Sequence, residues 1–163
     1  MYSPRRYAFE EVRPGEFASL MDLYENNYLR LKKLLPQLDS FSGEAVSHID
    51  GCLDLHVTLL ERSRYTSTFH LSYYFPGAGV NTLVAEPDLT IRVYHDADMV
   101  EVLAGHLRHG RVRLNHLPGH SLRVKWKLNR FLYRWLGFCL HLGHSVHASA
   151  DTQTVEKSIQ TAS

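Results

Sequence analysis

An α+β fold is predicted by three features of the sequence: an N-terminal helix, a five-stranded antiparallel meander and a C-terminal helix, with both helices packed on one face of the sheet. Apolar residues recur at helical spacing near both ends, the apolar period falls to two through the middle, and turn-forming dipeptides separate the alternating runs.

The first helix is expected over residues 16–35, because Leu20, Tyr24, Asn27, Leu31 and Leu34 follow 3-and-4 spacing and Pro36 disfavours helix at the residue before it. Asn27 falls on the apolar stripe, where an unpartnered amide would cost roughly 1–3 kcal/mol, so a partner in the adjoining layer is expected. Residues 37–43 read as a loop. In CLDLHVTL, Leu53, Leu55, Val57 and Leu59 face one way and Asp54, His56 and Thr58 the other. In YTSTFHLSY, Phe69, Leu71 and Tyr73 oppose Thr66, Thr68, His70 and Ser72. These two runs form a hairpin around ERSRY, with Val57 expected opposite Phe69 and Leu55 opposite Leu71.

After the glycine- and proline-bearing stretch 75–88, RVYHDADMVEV reads as a second hairpin. With Asp96 and Ala97 central, His95 pairs with Asp98, Val93 with Val100, Arg92 with Glu101 and Ile91 with Val102. That register buries the valines and sets Arg92 across from Glu101 as a cross-strand ion pair worth about 0.2–1 kcal/mol. His109 and Gly110 turn into RVRLNHL, the fifth strand. Ser121 caps a last helix whose stripe is Leu128, Leu132, Trp135, Cys139 and Leu142, with Gly143 as terminator. The outer sheet face then carries Asp54, His56, Thr58, Thr66, Thr68, His70, Arg92, Tyr94 and Glu101.

A chain of 163 residues buries roughly two thirds of its unfolded surface, so neither a disulfide nor a metal is needed to hold it. One domain over residues 1–147 is expected, with 1–15 a loosely ordered arm and the polar stretch 148–163 a flexible tail. No run of about 18 apolar residues is present, and the two cysteines, Cys52 and Cys139, have no metal-type spacing; a cytosolic location without membrane contact follows. Charge is unevenly spread. Residues 1–101 hold 15 acids against 9 Lys and Arg, whereas residues 102–150 hold 8 Lys and Arg, no acid and seven of the 11 histidines. Such polarity either pairs internally or draws an anionic partner.

Four ordered motifs carry a family resemblance: Glu25-x-Asn27-Tyr28-x-x-Leu31 ending in Leu34-Leu35-Pro36, then Arg64-Tyr65-Thr66, then Val93-Tyr94-His95-Asp96-Ala97 with Glu101-Val102, and Asn129-x-Phe131-Leu132-x-x-Trp135-Leu136-x-x-Cys139-Leu140-x-x-Gly143. Over about residues 20–143 the chain resembles the bacterial YqiB-like proteins, a domain family of unknown function. The resemblance implies a small cytosolic protein and, by gene neighbourhood alone, a nucleotide theme. Residues 103–124 depart from the family pattern, so their basic and histidine clusters are not carried over.

The candidate ligand-binding set is Arg64, Tyr65, Thr66, Arg92, Tyr94, His95, Asp96 and Glu101: arginine forks suit phosphate or carboxylate, tyrosine rings suit stacking, and His beside Asp suits proton transfer. The bland alternative is packed tyrosines, an Arg92–Glu101 pair and turn chemistry. A second candidate is an anion-contacting rim of Lys125, Lys127, Arg130 and Arg134 in KWKLNRFLYRW, although Phe131 and Trp135 lie on or beside the core stripe, which weakens a nucleic-acid reading. His141-x-x-His144-x-x-His147 has partial metal spacing, but Gly143 interrupts the helix and no acid lies nearby, so no metal and no cofactor is expected. No phosphate-loop, dinucleotide or nucleophile-elbow motif occurs, and no catalytic residue is assigned. The reading is a binding or regulatory protein for an anionic, nucleotide-like or phosphate-bearing ligand or a protein partner. An enzyme acting on such a substrate is the alternative, and a homodimeric scaffold pairing through an edge strand is the third.

Overall fold

The computed structural model describes residues 17–76, 78–81, 83–107, 110–113 and 122–147. Helix α1 (Phe17–Leu34) is followed by strands β1 (Glu44–Ser47), β2 (Leu55–Arg62), β3 (Thr66–Pro76), β4 (Leu83–Tyr94), β5 (Met99–Leu107) and β6 (Gly110–Arg113), and by helix α2 (Leu122–Leu142). All six strands pair in chain order as an antiparallel meander. The α+β order is as the sequence predicts, with one strand more than the five expected. The extra strand is β1, only four residues long with Ser47 alone buried, so it has too short an alternation to be read from sequence. The expected arm at 1–15, the tail at 148–163 and the Ser121 cap lie outside the described residues.

One core joins the layers. Leu31, Leu34, Leu35, Leu38 and Phe41 from α1 and the loop after it meet Leu55, Val57, Phe69, Leu71, Leu89, Ile91, Val93, Val100 and Val102 of the sheet. Leu128, Leu132, Trp135, Leu136 and Cys139 of α2 complete it on the same sheet face. Leu20, Leu23, Tyr24 and Trp126 form a second cluster that Met99 joins.

The expected β4–β5 register is observed: Ile91 pairs with Val102, Arg92 with Glu101 and Val93 with Val100. Pairing stops at Tyr94–Met99, so residues 95–98 form a four-residue turn instead of a His95–Asp98 pair, with Asp98 in the left-handed region at φ 51°. The β2–β3 register differs by two residues. Val57 lies opposite Leu71 and Leu55 opposite Tyr73, because the hairpin closes over residues 63–65 and a bulge sits between Leu59 and Glu61. A shift of two preserves side-chain parity, which is why the apolar faces still match.

Strand β6 pairs with residues 104–107 of β5 only, so the first half of β5 has no strand on its outer side. The helices cover this edge. Asn129 Oδ1 accepts the Val102 N–H at 2.9 Å, and Asn27 Nδ2 donates to the Asn129 carbonyl at 3.1 Å, giving the apolar-stripe amide its partner in the facing helix. Trp126 Nε1 donates to Ser19 Oγ at 2.7 Å and Arg30 to the Tyr133 carbonyl at 2.6 Å, further tying α1 to α2. At the end of α2, Gly143 takes φ 95°, its N–H reaches the Leu140 carbonyl and the His144 N–H reaches the Cys139 carbonyl, a glycine-terminated cap at the expected residue. The chain then returns to α1, where the Val146 N–H meets the Leu34 carbonyl at 2.8 Å.

Candidate functional site

Pro36 ends α1 and turns the chain so that Asp39 faces the two hairpin tips. Arg62, the last residue of β2, holds this arrangement: it donates to the carbonyls of Asp39 at 2.7 Å and Leu38 at 3.1 Å, and through Nε to Ser67 Oγ at 3.2 Å. From the β4–β5 turn, the His95 N–H binds the Tyr65 carbonyl at 2.9 Å and its Nε2 lies 2.7 Å from Ser67 Oγ. His95 Nδ1 stands 3.1 Å from Asp39 Oδ1, at ion-pair distance but off the line of a hydrogen bond. The order Asp39, His95, Ser67 is that of a hydrolytic triad. Ser67, however, is fully buried and its oxygen is held by Arg62, so it is out of reach of an attacking path. The network is a brace.

The brace forms the floor of a cleft of about 340 Å³ lined by Tyr28, Asp39, Arg62, Ser63, Arg64, His95 and Asp98. Tyr28 has its phenol raised above its ordinary range by burial, then by its hydrogen bond and proximity to Asp98, with Asp39 contributing. Beside it, a second hollow of about 270 Å³ shares Tyr28 and Asp98 and adds Glu25, Leu29 and Ala97.

The structure divides the predicted ligand-binding set. Arg64 and His95 line the cleft. Tyr65 is exposed, with the Arg64 guanidinium 5.1 Å from its ring centre, and Thr66 binds Ser63 at 2.5 Å. Asp96 is exposed in the turn and outside the cleft lining. Arg92, Tyr94 and Glu101 lie away from the cleft, and the expected Arg92–Glu101 ion pair does not form. Glu101 instead accepts the Tyr94 hydroxyl and is approached by Tyr24, whose phenol is driven far upward by burial first and by Glu101 second. Burial and then Glu101 raise Tyr94 as well. The Tyr94 hydroxyl thus takes the place of the expected ion pair at the half-buried Glu101 carboxylate.

Asp39, Arg62, Tyr28 and Asp98 were not among the candidate site residues read from sequence. Arg62 lies across from Ser67 only in the observed, bulged register; the register expected from sequence would set it opposite residue 64. Asp39 gives no local signal, since its place depends on how the loop after Pro36 docks.

A third hollow, of about 370 Å³, runs along the outer side of α2 and is lined by Arg123, Trp126, Lys127, Arg130, Phe131 and Arg134. Positions 123, 127, 130 and 134 recur at 4, 3 and 4, so four cations share one helix face over about 16 Å. Three of the predicted rim residues are here. Lys125 is not, being turned away by its position in the helix, and Arg123 takes its place. Arg130 sits 5.1 Å from the Trp126 ring centre. No ion pair engages these four among the described residues.

Among the described residues the histidines do not converge. His144 is buried with Nδ1 2.9 Å from Ser47 Oγ, while exposed His147 meets Ser145 at 3.0 Å. Among the described residues no group of three His, Cys, Asp or Glu could hold a metal, and no helix is long and apolar enough to cross a membrane. His109, His116 and His120 fall outside them.

A family model described as a protein of unknown function, DUF1249, matches residues 30–145. "Uncharacterized protein YqiB" of Escherichia coli K12 is 32% identical over 132 residues, covering 78% of this chain and 91% of that protein; the O157:H7 strain has a relative with the same figures. No solved structure matches. Many residues of the four sequence motifs (Asn27, Leu31, Asn129, Leu132, Trp135, Cys139) are buried between the layers and explain the fold more than a chemistry. By the span of that match and the identity to these relatives, the chain belongs to the YqiB-like DUF1249 family.

Proposed function

We propose that this is a cytosolic binding protein that recognises a phosphate-bearing anion, a small nucleotide-like molecule or a short polyphosphate chain, along the outer face of α2. The observation that carries this reading is the set Arg123, Lys127, Arg130 and Arg134 around one hollow with no carboxylate in its lining. Arginine forks match phosphate oxygens, and four cations along about 16 Å match a succession of phosphates better than one. Trp126 is buried and Phe131 half-buried, so stacking would add little and the contact is mainly electrostatic. A cytosolic setting is supported by two free cysteines, Cys52 half-exposed and Cys139 buried.

The test is thermal stability and affinity of the whole chain with ADP-ribose, short RNA and polyphosphate at low and high salt. Arg123→Ala and Arg134→Ala should each weaken polyphosphate binding several-fold and reduce the salt slope by about one. If both variants bind polyphosphate with unchanged affinity and slope, the α2 face is not the site.

A further inference from the structure

We propose that the cleft around Tyr28 is a second, separate binding site, one for a small zwitterion: a carboxylate at one end and a protonated amine on a short aliphatic arm at the other. The cleft lining carries both signs of charge. On the hairpin side, Arg62 is committed to two carbonyls and Ser67 Oγ, which fixes the tip, while exposed Arg64 has no ion-pair partner among the described residues. Arg64 therefore presents a guanidinium fork suited to a carboxylate.

The acidic groups of the lining come from other segments, the loop after α1 and the β4–β5 turn. Tyr28, Asp98 and Asp39 share the lining, and both acids act on the Tyr28 phenol. Asp39 keeps acceptor capacity: its Lys32 contact is 3.5 Å, and His95 Nδ1 approaches it without hydrogen-bond alignment. The adjoining hollow adds Glu25, and Leu29, 46% exposed, gives it an apolar wall. An amine on an aliphatic arm meets both features there. About 340 Å³ lies at the small end of the range for ligand pockets, which suits a molecule of amino-acid size.

The same carboxylates argue against phosphate. Asp39 and Asp98 line the cleft itself and Glu25 the next hollow, so a dianion would meet repulsion that the α2 face lacks. The two sites thus sort ligands by charge pattern, and either can fail without the other.

Titration of the full chain with 5-aminopentanoate and L-lysine, followed by backbone amide shifts, tests the site. Butylamine and butyrate serve as its separate halves, with inorganic phosphate as the control. The dipolar probes should saturate, move the amides of Arg64 and Asp98 together, and bind about tenfold or more tighter than either half. Arg64→Gln and Asp98→Asn should each reduce them to the level of a half. Both replacements keep the fold: Arg64 is exposed, and asparagine accepts the left-handed backbone at position 98. The proposal is overturned if no dipolar probe gives a saturable shift at these amides, if a half binds as well as the whole, or if inorganic phosphate binds there as tightly as the dipolar probes.

Discussion

His144 and His48 stand on either side of the same short stretch of chain and respond to acid in opposite directions. His144 is buried beside Ser47 and the Tyr73 ring, and burial lowers its pKa below the ordinary 6.5 despite some help from Asp54. The fold therefore prefers its neutral form. As pH falls below 6.5 the unfolded chain takes up this proton before the folded chain does, so stability drops and levels off only below the folded value. His48 is exposed, and its pKa is raised chiefly by its hydrogen bond to Asp54, with Asp50 adding to it. Its contribution is fully present below 6.5 and disappears as pH rises through the raised value. Urea midpoints at about pH 7.5 and about pH 5 should separate the two histidines. His144→Gln should lower stability by about 1–2 kcal/mol near neutrality and yet show a smaller loss on acidification than the parent, whereas His48→Gln should show a larger one. Equal acid slopes in all three proteins would contradict the assignment.

The half-open edge of β5 is closed by a helix residue, and Asn129 is the hinge of that contact. It is fully buried, accepts from the Val102 N–H, donates to the Lys125 carbonyl at 2.8 Å and offers its own carbonyl to Asn27. Asn129→Leu would leave the Val102 N–H buried without an acceptor and insert a branched side chain between strand and helix. A loss of about 2–4 kcal/mol in chemical denaturation is expected, and a loss below about 1 kcal/mol would mean the edge is satisfied in another way. How far such features could be read from sequence depends on their range. The β4–β5 register was legible because His95, Asp96, Ala97 and Asp98 mark a turn between alternating valines. The β2–β3 register was off by two because a bulge leaves no composition signal, and parity alone cannot distinguish Phe69 from Leu71 opposite Val57. Asn27 announced that it needed a partner, but its identity required the packing of α1 on α2. The cleft was half legible: Arg64 and His95 stood out as polar groups beside turns, whereas Asp39, Tyr28 and Asp98 join them only once three chain segments meet.

Among the described residues, acids line the cleft and its neighbour, whereas the hollow along α2 has cations and no acid in its lining. Tyr28, Asp39, Glu25 and Asp98 belong to the cleft and its neighbour, and the cations of α2 face outward without acids, so the uneven charge is displayed more than internally cancelled. The short segment after α2 adds a further tie to the core that joins helices and sheet. Val146 is 1% exposed and its N–H serves a carbonyl at the end of α1, where the helix has no internal donor left. His144 reaches β1 through Ser47. The five residues 143–147 thereby link the first helix, the edge strand and the last helix. A chain ending at Gly143 would lose the burial of one valine, about 1–2 kcal/mol, a buried hydrogen bond worth about as much again, and the buried His144 with its Ser47 contact, worth about 1–2 kcal/mol more. For a domain of this size that corresponds to a fall in Tm of about 6–24 °C relative to a chain ending at His147, with the strongest early loss of amide protection expected in β1 and at the end of α1. Equal Tm and equal protection in the two chains would show that the closing segment rests on a body already complete without it.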